Sequence, residues 1–140
     1  MIPTPEVPTN MNAREFNILY VEDDDDAREI ITILFRATQP NFLVKTVCNE
    51  DDALTAISLQ KFDIYIIDNW LRGTSGNILC QKIRASDQIT PIVIYSAVAY
   101  EKEIEEGLKA GANAYLTKPN DLNNLVPTLQ KLLAIRSTIN

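Results

Sequence analysis

The chain has 140 residues, enough for one domain with a sizeable core, and its 46% hydrophobic and 23% charged residues are ordinary for a globular protein. A formal net charge of −6 argues against a nucleic-acid surface, which needs clustered Lys and Arg, and points toward cations or a basic partner. The absence of histidine excludes Ser–His and Cys–His nucleophiles and His-ligated metals.

No apolar run approaches the ~18 residues needed to span a bilayer. Met1 to Asn12 contains three prolines and no apolar core, unlike a signal peptide, so the expected location is the cytoplasm. Cys48 and Cys80 lie far apart without metal-ligand or redox spacing and read as buried small hydrophobes.

Residues 1–15 are rich in Pro, Thr and Asn and carry no periodicity, the pattern of a flexible tail. Phe16 to Val21 reads as an apolar strand. The acidic run Glu22 to Asp26 follows, then Ile30, Ile31, Ile33, Leu34 and Phe35 at near-helical spacing, stopped by Pro40. Phe42 to Val47 predicts a second strand, and Ala53, Leu54, Ile57 and Leu59 a second helix.

Asp63 to Ile67 predicts a third strand that delivers Asp68 at its C-terminal end. Gly73 and Gly76 punctuate a loop, and Ile78, Leu79 and Ile83 mark the third helix. Pro91 to Tyr95 is apolar enough to be covered on both faces. Glu101 to Lys109 predicts a charged helix with Ile104 and Leu108 inward and Gly111 just past its end. Ala114 to Leu116 gives a fifth strand, and Leu122, Leu125, Val126, Leu129, Leu132 and Leu133 stripe a last helix. Its regular part is expected from Asn123 or Asn124, leaving Pro127 in the first turn.

Five β-α repeats demand a doubly wound, five-stranded parallel sheet with helices on both faces. The expected organisation is a tail over 1–15, one domain over 16–136 and a short C-terminal tail over 137–140. There is no Gly-x-Gly-x-x-Gly and no Walker-type loop. In a flavodoxin-like strand order of 2-1-3-4-5, the first and third strands meet at the switch point, so Glu22, Asp23, Asp24 and Asp68 converge on one crevice. Ser96 and Lys118-Pro119 close the fourth and fifth strands. An oxygen-only cluster suits Mg2+, and Mg2+ beside a carboxylate, with a lysine and a hydroxyl opposite, is a phosphoryl-transfer arrangement.

Asp23, Asp68, Ser96 and Lys118-Pro119, in this order and spacing, resemble the signature of the response-regulator receiver domain, over roughly Asn17 to Ile135. The resemblance implies that Asp68 is the phosphoacceptor, charged by a histidine kinase or histidine phosphotransfer protein. It implies that Glu22, Asp23, Asp68 and the backbone carbonyl of Trp70 hold Mg2+, that Ser96 bonds a phosphoryl oxygen, that Lys118 pairs with the phosphate, and that Tyr115 is an aromatic switch. Catalysis would be limited to the chain's own phosphorylation and dephosphorylation. Output would pass through the face of the fourth helix, fifth strand and fifth helix to a protein target or a second copy, with no direct nucleic-acid or membrane partner. The kinase side is expected near the first helix, at Ala27, Ile30, Ile31 and Leu34. With no output domain after Ile135, the expected type is a stand-alone receiver acting on a partner or in a relay.

The chain departs from the family pattern at Leu71-Arg72, where Met-Pro is usual, at Glu22, where Asp is commoner, and at the bulky Trp70. Taken singly, the residues have ordinary readings: Asp24, Asp25 and Asp26 as helix caps, Asp68 as a turn former, Ser96 as a loop hydroxyl, Lys118 as a solvated lysine, Tyr115 as a core aromatic. The alternative function is a phosphorylation-independent interaction module on the same fold. A haloacid-dehalogenase-type hydrolase would need Asp where Trp70 stands, and a flavodoxin would need Ser, Thr and Gly after the first strand.

Overall fold

The computed structural model describes residues 14–139, with side chains to residue 136. Five parallel strands, β1 (Phe16–Val21), β2 (Phe42–Val47), β3 (Ile64–Ile67), β4 (Ile92–Ser96) and β5 (Ala114–Thr117), form one sheet in the order β2-β1-β3-β4-β5. They alternate with α1 (Asp25–Thr38), α2 (Glu50–Leu59), α3 (Gly76–Arg84), α4 (Glu101–Ala110) and α5 (Leu122–Ile139). The flavodoxin-like order expected from the β-α alternation is the order observed.

Alternation along each strand sorts the core into two halves. Ile18, Tyr20, Ile64, Ile66, Val93 and Tyr95 face Ile31 and Phe35 of α1 and Leu125, Leu129 and Leu133 of α5. Leu19, Val21, Tyr65, Ile67, Ile92 and Ile94 face α2, α3 and α4 through Ala53, Ala56, Leu79, Cys80, Ile83 and Ala110. Burial on both faces explains why the central strands are almost continuously apolar.

Local chemistry fixes the helix ends. Asp24 caps α1 by accepting the Ala27 N–H at 2.8 Å, Asn49 caps α2 through the Asp52 N–H at 2.7 Å, and Ser75 caps α3 through the Ile78 N–H at 3.1 Å. Gly111 ends α4 in the left-handed region at φ 114°, as a glycine at that place was expected to do.

Several expectations need correction. Leu108 is 47% exposed, not inward. The buried positions of α4 are Gly107 and Ala110, small residues that let the helix approach the sheet closely. Cys48 is exposed, while Cys80 is buried as expected. The loop between β3 and α3 contains a short antiparallel pairing of Trp70–Leu71 with Thr74–Ser75, turned by Gly73 at φ 77°. Helix α5 starts at Leu122 on short-range bonds, Leu122 N–H to Pro119 O and Asn124 N–H to Asp121 O, which places Pro127 beyond the first turn.

At the termini, residues 1–13 of the expected tail lie outside the described residues. Arg14 is held by Asp63 at 3.5 Å and sits 4.8 Å above the Phe16 ring. Helix α5 carries through 137–139, within the C-terminal tail that the sequence leads one to expect; residue 140 lies outside the described residues. Among the described residues no helix is long and apolar enough to cross a membrane.

Candidate functional site

The site lies at the C-terminal edge of the sheet. Strand β1 ends at Val21 and β3 at Ile67, and the two are neighbours in register, Val21 opposite Ile67. The next residues, Glu22-Asp23 and Asp68, are therefore delivered side by side. One oxygen from each of the three carboxylates lies within 4.8 Å of the others, an all-oxygen donor set suited to a hard divalent cation. Asp24, expected in the same crevice, is turned to capping α1.

Glu22 is buried and Lys118, just past β5, is its counter-ion: the ammonium donates to Glu22 Oε1 and stands 3.9 Å from Asp68 Oδ2. Burial raises the Glu22 carboxyl above its usual range, the adjoining Asp68 raises it further, and Lys118 opposes both. Lys118 also lies 5.4 Å from the centre of the Tyr95 ring.

Ser96, the last residue of β4, is fully buried, and its Oγ accepts the Val98 N–H at 3.2 Å. Tyr115 is half-buried in β5; its hydroxyl donates to Val98 O and accepts from Asn69 Nδ2 at 3.3 Å. Burial moves the Tyr115 phenol upward, with Asn69 and Ser96 acting against it. The Trp70 side chain is 71% exposed, and its backbone N–H donates to Asp68 Oδ1 at 3.3 Å. Leu71 is buried, and the solvent-facing Arg72 brings its Nε to 3.9 Å from Asp23 Oδ2. Glu22, Asp23, Asp68 and Lys118 thus meet directly, whereas Ser96 and Tyr115 are linked through Val98.

Four further residues shape the site without having been singled out from the sequence. Tyr20 is two residues before Glu22 on the same strand face, and its hydroxyl donates to Glu22 Oε1 at 3.3 Å. Burial foremost, and then the charge of Glu22, push that phenol far above its ordinary range. The period of two in a strand was the available signal. Arg28 donates to the Glu22 carbonyl at 2.7 Å. Asn69 and Asn77 are buried, and Asn69 Oδ1 accepts the Asn77 N–H at 2.9 Å; the sequence offers no signal for either beyond the position of Asn69 next to Asp68.

Comparison with known proteins agrees with this geometry. The family model for the response regulator receiver domain matches residues 18–130. The transcriptional regulatory protein CseB of Streptomyces avermitilis is 32% identical over 121 residues, covering 86% of this chain and 50% of that protein. The chain spans about half the length of the curated relatives it matches. A receiver domain of a Francisella response regulator superposes with a TM-score of 0.78 at 26% identity, covering 86% of this chain and 98% of that one. The receiver domain of a sensor histidine kinase from Pseudomonas aeruginosa PAO1, solved with a magnesium ion coordinated in its active-site cleft, gives 0.76 at 28% identity over 86% of this chain and 98% of that one. The acidic crevice, its lysine and the sheet order all lie within the matched span, and the chain belongs to the response regulator receiver domain family of two-component systems.

Proposed function

We propose that Asp68 accepts a phosphoryl group from a phosphohistidine on a histidine kinase or histidine phosphotransfer protein. The observation that carries this reading is the meeting of Glu22, Asp23 and Asp68 within 4.8 Å, with Lys118 against both Glu22 and Asp68. A lone exposed acid would have neither a metal partner nor a cation beside its reacting oxygen.

In the transfer, an Asp68 carboxylate oxygen forms a bond to phosphorus in line with the leaving imidazole. The P–N bond breaks and the imidazole nitrogen keeps the electron pair. The donor set fits Mg2+, which would be held by the Glu22, Asp23 and Asp68 carboxylates and the Trp70 carbonyl and would supply charge neutralisation at the phosphoryl oxygens. Lys118 turns from Glu22 toward the new phosphoryl charge, and Ser96 donates its hydroxyl proton to a phosphoryl oxygen while still accepting from Val98. Tyr115, joined to Val98, follows that shift. The chain then catalyses only its own phosphorylation and dephosphorylation.

The signal leaves through the face of α4, β5 and α5, toward a protein target or a second copy, without direct contact to nucleic acid. On the donor side, Ala27 and Ile30 of α1 border an apolar cleft of about 180 Å³ with Lys118, Pro119 and Leu122. Ile30 is exposed there while Ile31 turns into the core, which makes Ile30 the contact for an incoming helix. A cytoplasmic setting, where such kinases present their phosphohistidine, suits this role.

The test is incubation with Mg2+ and acetyl phosphate, or with beryllofluoride, read by intact mass and Trp70 fluorescence with Asp68→Asn as control. A gain of one phosphoryl group that needs Mg2+ and is lost in the mutant supports the proposal. No modification and no response to Mg2+ would move the function to a phosphorylation-independent binding module.

A further inference from the structure

Asn69 is a carboxamide buried between the phosphoacceptor strand, the start of α3 and the Tyr115 ring. An apolar side chain of the same size would fill that space without the cost of desolvating an amide. Both ends of the amide are used. Oδ1 accepts the Asn77 N–H of α3 at 2.9 Å, and Nδ2 donates to Tyr115 Oη at 3.3 Å. Neither leucine, with no polar atom, nor serine, with one short arm, bridges both partners.

From Tyr115 the connections continue. Its hydroxyl donates to Val98 O, and the Val98 N–H donates to Ser96 Oγ. Asp68 and Ser96, which flank the reacting centre from β3 and β4, are therefore joined by a circuit through Asn69, Tyr115 and Val98. The circuit branches toward α4, because Asn77 Nδ2 donates to the Glu103 carbonyl at 3.3 Å. The start of α3 is itself a fixed anchor, since a Cβ on Gly76 would fall 2.5 Å from Asp68 O. Asn69 thus offers Tyr115 a hydrogen-bond donor that cannot drift.

We propose that Asn69 is a positioning residue of the switch: its Nδ2–H bond fixes the Tyr115 hydroxyl between Asn69 and Val98 O, so that a change at Asp68 and Ser96 reaches Tyr115 and α4 as one movement. This rests on the phosphoacceptor reading above. The Asn69 side-chain hydrogen bonds run to Asn77 and Tyr115, so its removal is expected to leave a site that still binds while loosening the hold on Tyr115.

The test uses the full chain carrying fluorotyrosine, titrated with Mg2+ and beryllofluoride. The Tyr115 fluorine resonance is assigned by its loss in Tyr115→Phe, and binding is read by Trp70 fluorescence. In Asn69→Leu, beryllofluoride is expected still to bind, with an affinity changed by no more than about fivefold, the factor that the lost hydrogen bond supplies. The ratio of Tyr115 in its Asn69-facing position to the released one is expected to fall about fivefold, the ratio one neutral hydrogen bond typically holds. A parent that responds, with an Asn69→Leu Tyr115 resonance unchanged both free and saturated, overturns the proposal alone. A parent silent to beryllofluoride overturns the phosphoacceptor reading and takes the proposal with it. Should Asn69→Leu fail to fold, Tyr115→Phe, which removes only the hydroxyl, is read on the Asn69 side-chain amide in a nitrogen-15 spectrum. That signal shifts if the bond exists, and an unmoved signal overturns the proposal.

Discussion

Gly107 of α4 lies so close to the ring of Tyr115 that a Cβ at that position would fall 3.0 Å from Tyr115 Cδ2. The same Cβ would stand 2.9 Å from Asn77 Oδ1 and 3.0 Å from Ile94 Cδ1. Two opposed effects follow. Helix propensity alone makes Gly107→Ala stabilising by about 1 kcal/mol. Crowding against three neighbours at once costs about 1–3 kcal/mol, since a packed core yields only by shifting the helix or the ring. The expected outcome is a net loss of stability in urea unfolding, with Tyr115 displaced. A more stable variant would show that α4 moves away freely and that its contact with Tyr115 is loose.

The three carboxylates of the crevice repel one another where no cation lies between them, and Lys118 offsets only part of that. Asp68→Asn is therefore expected to raise the unfolding free energy by about 1 kcal/mol in the presence of a chelator, trading function for stability. Added Mg2+ should stabilise the parent more than the variant if the folded carboxylate set holds it as proposed above. Urea midpoints of both proteins, with and without Mg2+, decide the matter; an Asp68→Asn protein no more stable than its parent in chelator contradicts the charge argument.

Gly76 has a stricter requirement. A Cβ there would meet backbone atoms, Asp68 O at 2.5 Å and Asn69 Cα at 2.8 Å, which cannot rotate out of the way. Gly76→Ala is expected to destabilise by about 2–3 kcal/mol and to reduce phosphorylation of whatever fraction folds, because the strain falls on the backbone carrying Asp68. Normal acetyl-phosphate labelling in a stably folded Gly76→Ala would contradict the close packing.

The architecture is legible because strands buried on both faces must be largely apolar, and Pro91 to Tyr95 is so throughout and Phe16 to Val21 at every position but Asn17. Asp68 stood out because it breaks such a run where it leaves the sheet. Leu108 was misplaced for a definite reason: the inner face of α4 is carried by Gly107 and Ala110, which give almost no hydrophobic signal, so the larger Leu108 attracts the assignment while lying outside. Cys48 was placed inside on residue type alone, although it follows the last residue of an edge strand. Asn69 and Tyr20 escaped because their importance depends on partners distant in sequence or across a strand face. A buried amide becomes informative only once Tyr115 and Asn77 are known to surround it.

Asp87 supplies a pH-dependent contribution away from the crevice. In the turn joining α3 to β4, its Oδ1 accepts the N–H groups of Ile89 and Thr90, both at 3.0 Å, and its Oδ2 accepts the Thr90 hydroxyl at 2.6 Å. Burial alone would raise the carboxyl, but these three bonds and the nearby Arg84 outweigh it, leaving it below its ordinary range. The unfolded chain, with an ordinary value of about 3.9, then binds the proton more readily than the folded one. The contribution is therefore complete above that value and lost as pH falls through the lower, folded one. Because the side chain is partly solvated, screening trims the effect, and Asp87→Ala is expected to cost about 1 kcal/mol at neutral pH. Urea unfolding of both proteins as a function of pH should show the two stabilities converging as Asp87 becomes protonated. A difference that stays constant or widens into acid would mean that the ionised carboxylate is not what holds the turn.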